Sequence, residues 1–148
     1  MDQDQCLNFD QIRGGVFQVF ASAIAHPNVA LVKYWGKTDW KRNIPAVGSI
    51  SVTLANLTTN SAVQFQNGLT QDRVFINQAP AERHHALRVS RFLDEIRRRA
   101  GIDKFCEVHS VNNFPTGAGL ASSASGFAAL SLAASQAAGL NLDPAALS

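Results

Sequence analysis

Apolar and polar positions change period several times along the 148-residue chain. From Val16 to Ala25 apolar and small residues predict a strand, interrupted by His26-Pro27-Asn28. From Val29 to Trp35, Val29, Leu31, Lys33 and Trp35 share one parity and Ala30, Val32 and Tyr34 the other. A strand there would place Tyr34 and Lys33 on opposite faces. Gly36 permits a sharp turn before Lys37, and the charged stretch Thr38 to Pro45 reads as a surface loop. Ser49 to Leu57 alternates again, with Ile50, Val52 and Leu54 against Ser51, Thr53 and Ala55. Ser61 to Gln66 has the β-branched and aromatic content of a strand, and Asn67-Gly68 marks a turn. Val74 to Ile76 predicts a short strand that turns near Asn77.

The period then becomes helical. Over Pro80 to Ala100, Val89, Phe92, Leu93, Ile96 and Ala100 form one stripe, and Gly101 suits the stop. Phe105 to Val111 predicts another strand, and Ala124 to Ala138 a helix closed by Gly139. In that helix Ala128, Ala129, Ala133, Ala134 and Ala137 permit close packing on a sheet. Asp143 is a good N-cap, and Pro144 sits where a first helical residue tolerates proline. The helix they begin runs out at Ser148, after a single turn, and one turn alone does not repay nucleation. The expectation is therefore the N-terminal portion of a longer protein. The mixture predicts an α+β, two-layer domain over residues 16–148, preceded by a polar, frayed segment over residues 1–15.

Composition narrows the class. Hydrophobic residues make up 46% and charged residues 16%, as in a globular domain. A net charge of +2 argues against nucleic acid or an anionic membrane as partner. Arg97-Arg98-Arg99 reads as a solvated helix end, where cations suit the dipole. No apolar run is long enough to span a bilayer, and the acidic, glutamine-rich start does not resemble a secretory signal. Cys6 and Cys106 lack metal-ligand spacing; Cys106, in a strand pattern, predicts a buried free thiol suited to a reducing cytoplasm. His26, His84, His85 and His109 show no zinc pattern, and adjacent His84 and His85 would point apart on a helix.

Chemistry concentrates in Asn112 to Ser125, where a strand passes through a glycine-bearing loop into two serines and a helix. Glycines let backbone approach a ligand, the first helical amides lack internal partners, and the helix dipole favours an anion. Taken by itself, the stretch is equally an ordinary glycine loop before a capped helix. No Gly-Lys-Ser/Thr follows, so it is not a Walker A loop, and it lacks the third glycine of a dinucleotide fingerprint. The pattern Pro115, Gly119, Leu120, Ser122, Ser123, Ala124 resembles the phosphate-binding loop of the GHMP kinase superfamily. A second stretch, Ala25-His26-Pro27-Asn28-Val29-Ala30-Leu31-Val32-Lys33-Tyr34-Trp35-Gly36-Lys37, resembles the N-terminal motif of mevalonate diphosphate decarboxylases. Read alone, it is a pair of core aromatics with exposed lysines. Ile44-Pro45 through Ser49 to Leu54 and Asp72 to Asn77 resemble further segments of that family, the latter its Asp-Arg…Asn-Gly turn.

The resemblance implies a ribosomal-S5-like N-terminal domain followed in the family by a C-terminal α/β domain, here absent. It implies ATP and Mg2+, and mevalonate diphosphate as substrate. The 3-hydroxyl would be phosphorylated, and phosphate and carbon dioxide then lost, to give isopentenyl diphosphate for isoprenoid biosynthesis. By resemblance Lys33 and Ser123 are catalytic, and Tyr34, Trp35, Lys37 and Ser123 bind the substrate. Pro115, Thr116, Gly117, Ala118, Gly119, Leu120, Ala121, Ser122 and Ser123 would wrap the ATP phosphates, with Ser122 on the metal. Two departures stand out. Pro45-Ala46-Val47-Gly48-Ser49 lacks the family's asparagine, and His26 replaces a usual proline. The family's Gly-Ser-Gly-Ser segment and catalytic aspartate would lie beyond Ser148, so the chain alone is expected to be inactive. A phosphomevalonate decarboxylase, a mevalonate 3-kinase and a non-catalytic phosphate-binding module stay open as alternatives, as does a homodimer of the longer enzyme.

Overall fold

A computed structural model describes residues 20–33, 35–41, 44–115 and 122–147, except for the side chain of Pro144. In chain order the elements are β1 (Phe20–Ala25), β2 (Asn28–Val32), β3 (Lys37–Asp39), β4 (Ile44–Pro45), β5 (Ile50–Thr53), β6 (Thr59–Phe65), β7 (Arg73–Ile76) and β8 (Ala79–Pro80). They are followed by α1 (Arg83–Ala100), β9 (Cys106–Asn112), α2 (Ser122–Ala137) and α3 (Pro144–Leu147). A five-stranded sheet has the order β1-β6-β9-β7-β8. Only β7 and β9 run parallel, joined through α1, and every other pair is antiparallel. The ladders β2–β5 and β3–β4 stand apart from it.

Register explains where the core lies. Ala23 opposes Ser61; Val63 opposes Val108, Phe65 opposes Cys106, and Val74 pairs with Val108. These residues share one face because side chains alternate along a strand. Leu93 and Ile96 of α1 and Leu130, Ala133, Ala134 and Ala137 of α2 close over it. Small side chains let α2 lie close to β1 and β6, as its alanine content predicts; Ala128 alone of the five alanines points to solvent. On the other face Glu107 holds Arg73 at 3.2 Å and His109 at 2.8 Å, and the His109 ring stacks on Phe75 at 4.7 Å. Among the described residues, no helix is long and apolar enough to cross a membrane.

Several expectations are corrected. The helix begins at Arg83, because Ala79–Pro80 pairs with β7 at the sheet edge, where a residue without an N–H is tolerated. The stretch read as a loop over Thr38 to Pro45 contains the β3–β4 hairpin. Strand β2 ends at Val32, so Lys33 and Trp35 lie beyond it, and all its residues are exposed despite their alternation. His84 and His85 do not point apart; their ring centroids are 3.9 Å from each other. They lie in the first turn of α1, where no preceding turn restricts the side chains. Cys106 is buried as expected, and burial, with the negative charge of Asp72, pushes its thiol pKa up. Residues 1–15 and Cys6 lie outside the described residues.

The arginine run divides. Arg98 and Arg99 bind Glu95 at the surface, but Arg97 is only 7% exposed. It makes a bidentate pair with Asp72 at 2.9 and 3.0 Å and reaches Asp94 at 2.6 Å. Asp72 also accepts from the Ser90 hydroxyl and from the Cys106 N–H at 3.0 Å. One carboxylate thus joins α1, β9 and the entrance to β7. Burial would raise its pKa; the hydrogen bonds from Arg97, Ser90 and Cys106 and the Arg97 charge outweigh burial and hold it below the ordinary value. A carboxyl lowered on folding stabilises fully above its unfolded pKa, and that contribution disappears as pH falls toward the folded one. Asp72→Asn should therefore cost about 3–5 kcal/mol in urea unfolding and flatten the loss of stability below about pH 4. An unchanged midpoint and acid limb would contradict this role.

The β7–β8 turn yields a second expectation. Asn77 and Gln78 both have positive φ, 48° and 67°. This is the backbone that favours Asn-Gly, and Gln78 stands where glycine would relieve strain. Gln78→Gly should raise the unfolding free energy by about 1 kcal/mol, measured in the same urea titration.

Candidate functional site

The first turn of α2 is tied to the sheet by hydroxyls. Thr59 Oγ1 donates to Asn112 Oδ1 at 2.7 Å. It has one proton, so the 2.7 Å contact with buried Ser125 Oγ is donated by Ser125. Asn112 N–H in turn donates to Asn77 Oδ1 at 2.9 Å, and Asn77 N–H to the Ser110 carbonyl at 2.8 Å. Ser61 and Ser110 hydroxyls meet at 2.6 Å. The series runs from α2 across β6 and β9 to the β7–β8 turn. Next to it, the Asn113 side chain accepts from the Thr58 N–H at 2.7 Å and donates to the Asn56 carbonyl at 3.0 Å.

Beside this seam lies a cavity of about 300 Å³. Its floor is the sheet, through Thr59, Ser61, Val74, Ile76, Val108, Ser110 and Asn112. One wall is α2, through Ser122, Ser123, Gly126, Phe127 and Leu130; the other is the start of α1, through Glu82, His85, Arg88 and Val89. Ser122 is half-buried and Ser123 exposed, and neither hydroxyl has a protein partner among the described residues. Phe127 is held edge-on by Phe92 at 5.9 Å. A Cβ built on Gly126 meets nothing within 4 Å, so the missing side chain leaves open space on the cavity wall. The volume is at the lower end for small-molecule sites, and apolar walls with a few convergent polar groups are their usual lining.

The expected site residues fall into two groups. Ser122 and Ser123 open α2 at the cavity, and Pro115 is exposed just after β9. Lys33, Trp35 and Lys37 do not line it. They lie around β2 and β3, where Lys33 Nζ sits 4.3 Å from the Trp35 ring and Lys37 Nζ 4.9 Å from that of Trp40. Trp35 is 77% exposed, so it is no core aromatic. Tyr34 and Thr116, Gly117, Ala118, Gly119, Leu120 and Ala121 lie outside the described residues. Among the described residues no cluster of three His, Cys, Asp or Glu side chains could hold a metal ion. The sequence reading missed the hydroxyl seam, Gly126 and the wall of Arg88 and Phe127. Thr59 and Ser61 share the parity of Val63 and Phe65, a signal that buried hydroxyls face the helices.

Comparison with known proteins sets the chain in a family. Residues 25–148 match the profile of the diphosphomevalonate decarboxylase-like N-terminal domain. The chain belongs to the diphosphomevalonate decarboxylase-like family. Its members include a diphosphomevalonate decarboxylase of Eremothecium gossypii, 41% identical over 137 residues, spanning 83% of this chain and 34% of that protein. A phosphomevalonate decarboxylase of Haloferax volcanii is 39% identical over 122 residues, spanning 82% of this chain and 38% of that protein. The crystal structure of mevalonate diphosphate decarboxylase from Staphylococcus aureus superposes with a TM-score of 0.81 at 44% identity, over 88% of this chain and 40% of that one. The Enterococcus faecalis enzyme, solved to explain mevalonate-diphosphate-mediated ATP binding, gives 0.77 at 39% identity, over 86% of this chain and 40% of that one. The chain thus spans between about a third and two fifths of the length of these relatives. The decarboxylase resemblance and the GHMP-type N-terminal fold it implied are borne out.

Within this family member, glycine inside helix α2 has a cost. Gly126→Ala should raise the unfolding free energy by about 0.5–1 kcal/mol, because the new methyl meets no neighbour. Thr59→Val should lower it by about 1–3 kcal/mol by leaving Ser125 and Asn112 without their shared partner. Equal stabilities in a thermal-melt series would contradict both.

Proposed function

We propose that this chain is the ATP- and substrate-binding region of an ATP-dependent decarboxylase that converts mevalonate 5-diphosphate to isopentenyl diphosphate in isoprenoid biosynthesis. The observation that carries the reading is the cavity at the amino end of α2, in a domain that shares its fold with decarboxylases. Ser122 and Ser123, whose hydroxyls have no protein partner among the described residues, meet the phosphate chain of ATP, and residues 116–121, by family resemblance, complete the cradle. The first amides of α2 and its dipole favour that charge. The nucleoside occupies the space beside Gly126 and Phe127. Ser122 Oγ would hold Mg2+, an ion that needs few protein ligands. When bound, it neutralises the charge of the transferring phosphoryl group.

Lys33 and Lys37 are cations held over indole faces, an arrangement that orients an ammonium without neutralising it. Tyr34 and Lys37 hold the substrate diphosphate, Trp35 packs beside it, and Lys33 and Ser123 lie at the reacting phosphoryl group and carboxylate. Transfer to the 3-hydroxyl makes a leaving group. Its C–O bond then breaks as the carboxylate C–C bond gives up its electron pair to the new double bond, releasing phosphate and carbon dioxide. Positioning and electrostatic stabilisation are what phosphoryl transfer mainly requires. Of the five aspartates among the described residues, Asp72 is closed by Arg97, Asp94 also binds Arg97, Asp39 accepts from the Lys41 N–H, Asp143 caps α3 through the Ala146 N–H at 2.8 Å, and Asp103 is exposed to solvent. None lines the cavity. On this reading, with no aspartate among the described residues at the cavity, the chain binds ligands without turning them over.

Calorimetry tests the reading. The chain should bind Mg·ATP, and Gly126→Leu, which fills the open wall, should abolish binding while leaving the melting temperature at or above that of the parent. Lys37→Ala should weaken mevalonate 5-diphosphate at least tenfold by removing a phosphate contact of about 1.5–3 kcal/mol. Mevalonate 5-phosphate is the informative control, given the identity to a phosphomevalonate decarboxylase. Equal affinity of Gly126→Leu and parent for Mg·ATP, or tighter binding of the monophosphate, would refute the respective assignments.

A further inference from the structure

Arg88 is the one permanent cation among the described residues lining the cavity. Its guanidinium carbon stands 5.3 Å from the centre of the Phe127 ring. No carboxylate among the described residues pairs with it, unlike Arg97, Arg98 and Arg99, which all have acidic partners. Phe127 is itself fixed from the side by Phe92. The result is a flat, charged, weakly hydrated surface on a supported aromatic ring, at the wall of a space lined by Val74, Val89 and Leu130. A guanidinium plane of this kind stacks on aromatic rings, and nucleobases all present such a face. A phosphate-binding role would call for proximity to phosphate. Phe127 instead lies one helical turn beyond Ser123, where about 6 Å of helix rise separates it from the α2 amino end.

We propose that Arg88, supported by Phe127, is a specificity-determining residue that stacks on the base of the bound nucleotide. This rests on the nucleotide reading of the cavity given above. The contact reads the size of the π-face rather than a hydrogen-bonding edge, so the site takes purine nucleoside triphosphates ahead of pyrimidine ones. Arg88 is exposed, and its removal leaves the core intact.

The experiment is a calorimetric titration of the parent chain, Arg88→Ala and Arg88→Lys with Mg·ATP, Mg·CTP and magnesium tripolyphosphate, with melting temperatures recorded for each protein. In the parent, ATP should bind more tightly than CTP. Arg88→Ala should weaken ATP about tenfold and leave tripolyphosphate unchanged. Arg88→Lys, which keeps the charge and loses the plane, should resemble Arg88→Ala. Equal weakening of ATP and tripolyphosphate would overturn the proposal by making Arg88 a phosphate ligand. So would unaltered ATP binding in Arg88→Ala, or full rescue by lysine. Failure of the parent to bind either ATP or tripolyphosphate would instead overturn the nucleotide reading itself, and the base contact with it.

Discussion

The hydrogen bond between Thr59 and Ser125 is the constraint on which the site depends. It joins the first residue of β6 to the first turn of α2 at 2.7 Å, and Thr59 is in turn held by Asn112. Neither hydroxyl is reachable by water, since Thr59 and Ser125 are both buried. Unpaired, each would lose its hydration with nothing in return. The pairing therefore fixes how closely and at what height α2 meets the sheet. The cavity wall and the direction of the helix's free amides follow from it. Alanines farther along α2 provide the closeness; the hydroxyls provide the position.

A second fixed point lies at the opposite end of the sheet. Asp72 gathers Arg97, Ser90 and the Cys106 N–H, so that α1 cannot slide along β7 and β9. A lone buried charge would be expensive, but a bidentate partner and two further donors make this one a locator. Between the two fixed points, α1 and α2 diverge around a space with no side chain at Gly126. The fold keeps that helical glycine at some expense in helix stability. No packing contact requires it, since a Cβ there would meet nothing within 4 Å; the proposed ligand between the helices would.

Much of this was readable in the sequence, and the failures have physical reasons. Helix α2, strand β9 and the Asp143 cap were legible because local signals determine them: small-residue runs, alternation, and a carboxylate before a proline. The buried Cys106 followed from parity alone. Arg97 was misjudged because its neighbours Arg98 and Arg99 do face solvent, and only a distant carboxylate, Asp72, decides which of three equal side chains turns inward. Pro80 reads as helical in the sequence because proline also suits a first turn; the positive φ at Asn77 and Gln78 makes a hairpin instead. The site was half legible. The serines of α2 were marked by their loop, but the seam and the Arg88–Phe127 wall arise from tertiary contacts between segments remote in sequence. Family resemblance pointed to the serines and their loop, not to the space beside them.

The central claim is that the amino end of α2 and the adjoining cavity form one nucleotide site, positioned by the Thr59–Ser125 contact. The most direct measurement is an amide chemical-shift titration of the isotope-labelled chain with Mg·ATP. The account predicts saturable shifts concentrated at Ser122, Ser123, Ser125 and Gly126, extending to Ser110 and Asn112 on the cavity floor. Shifts confined to β2 and β3, or none at saturating nucleotide, would contradict it.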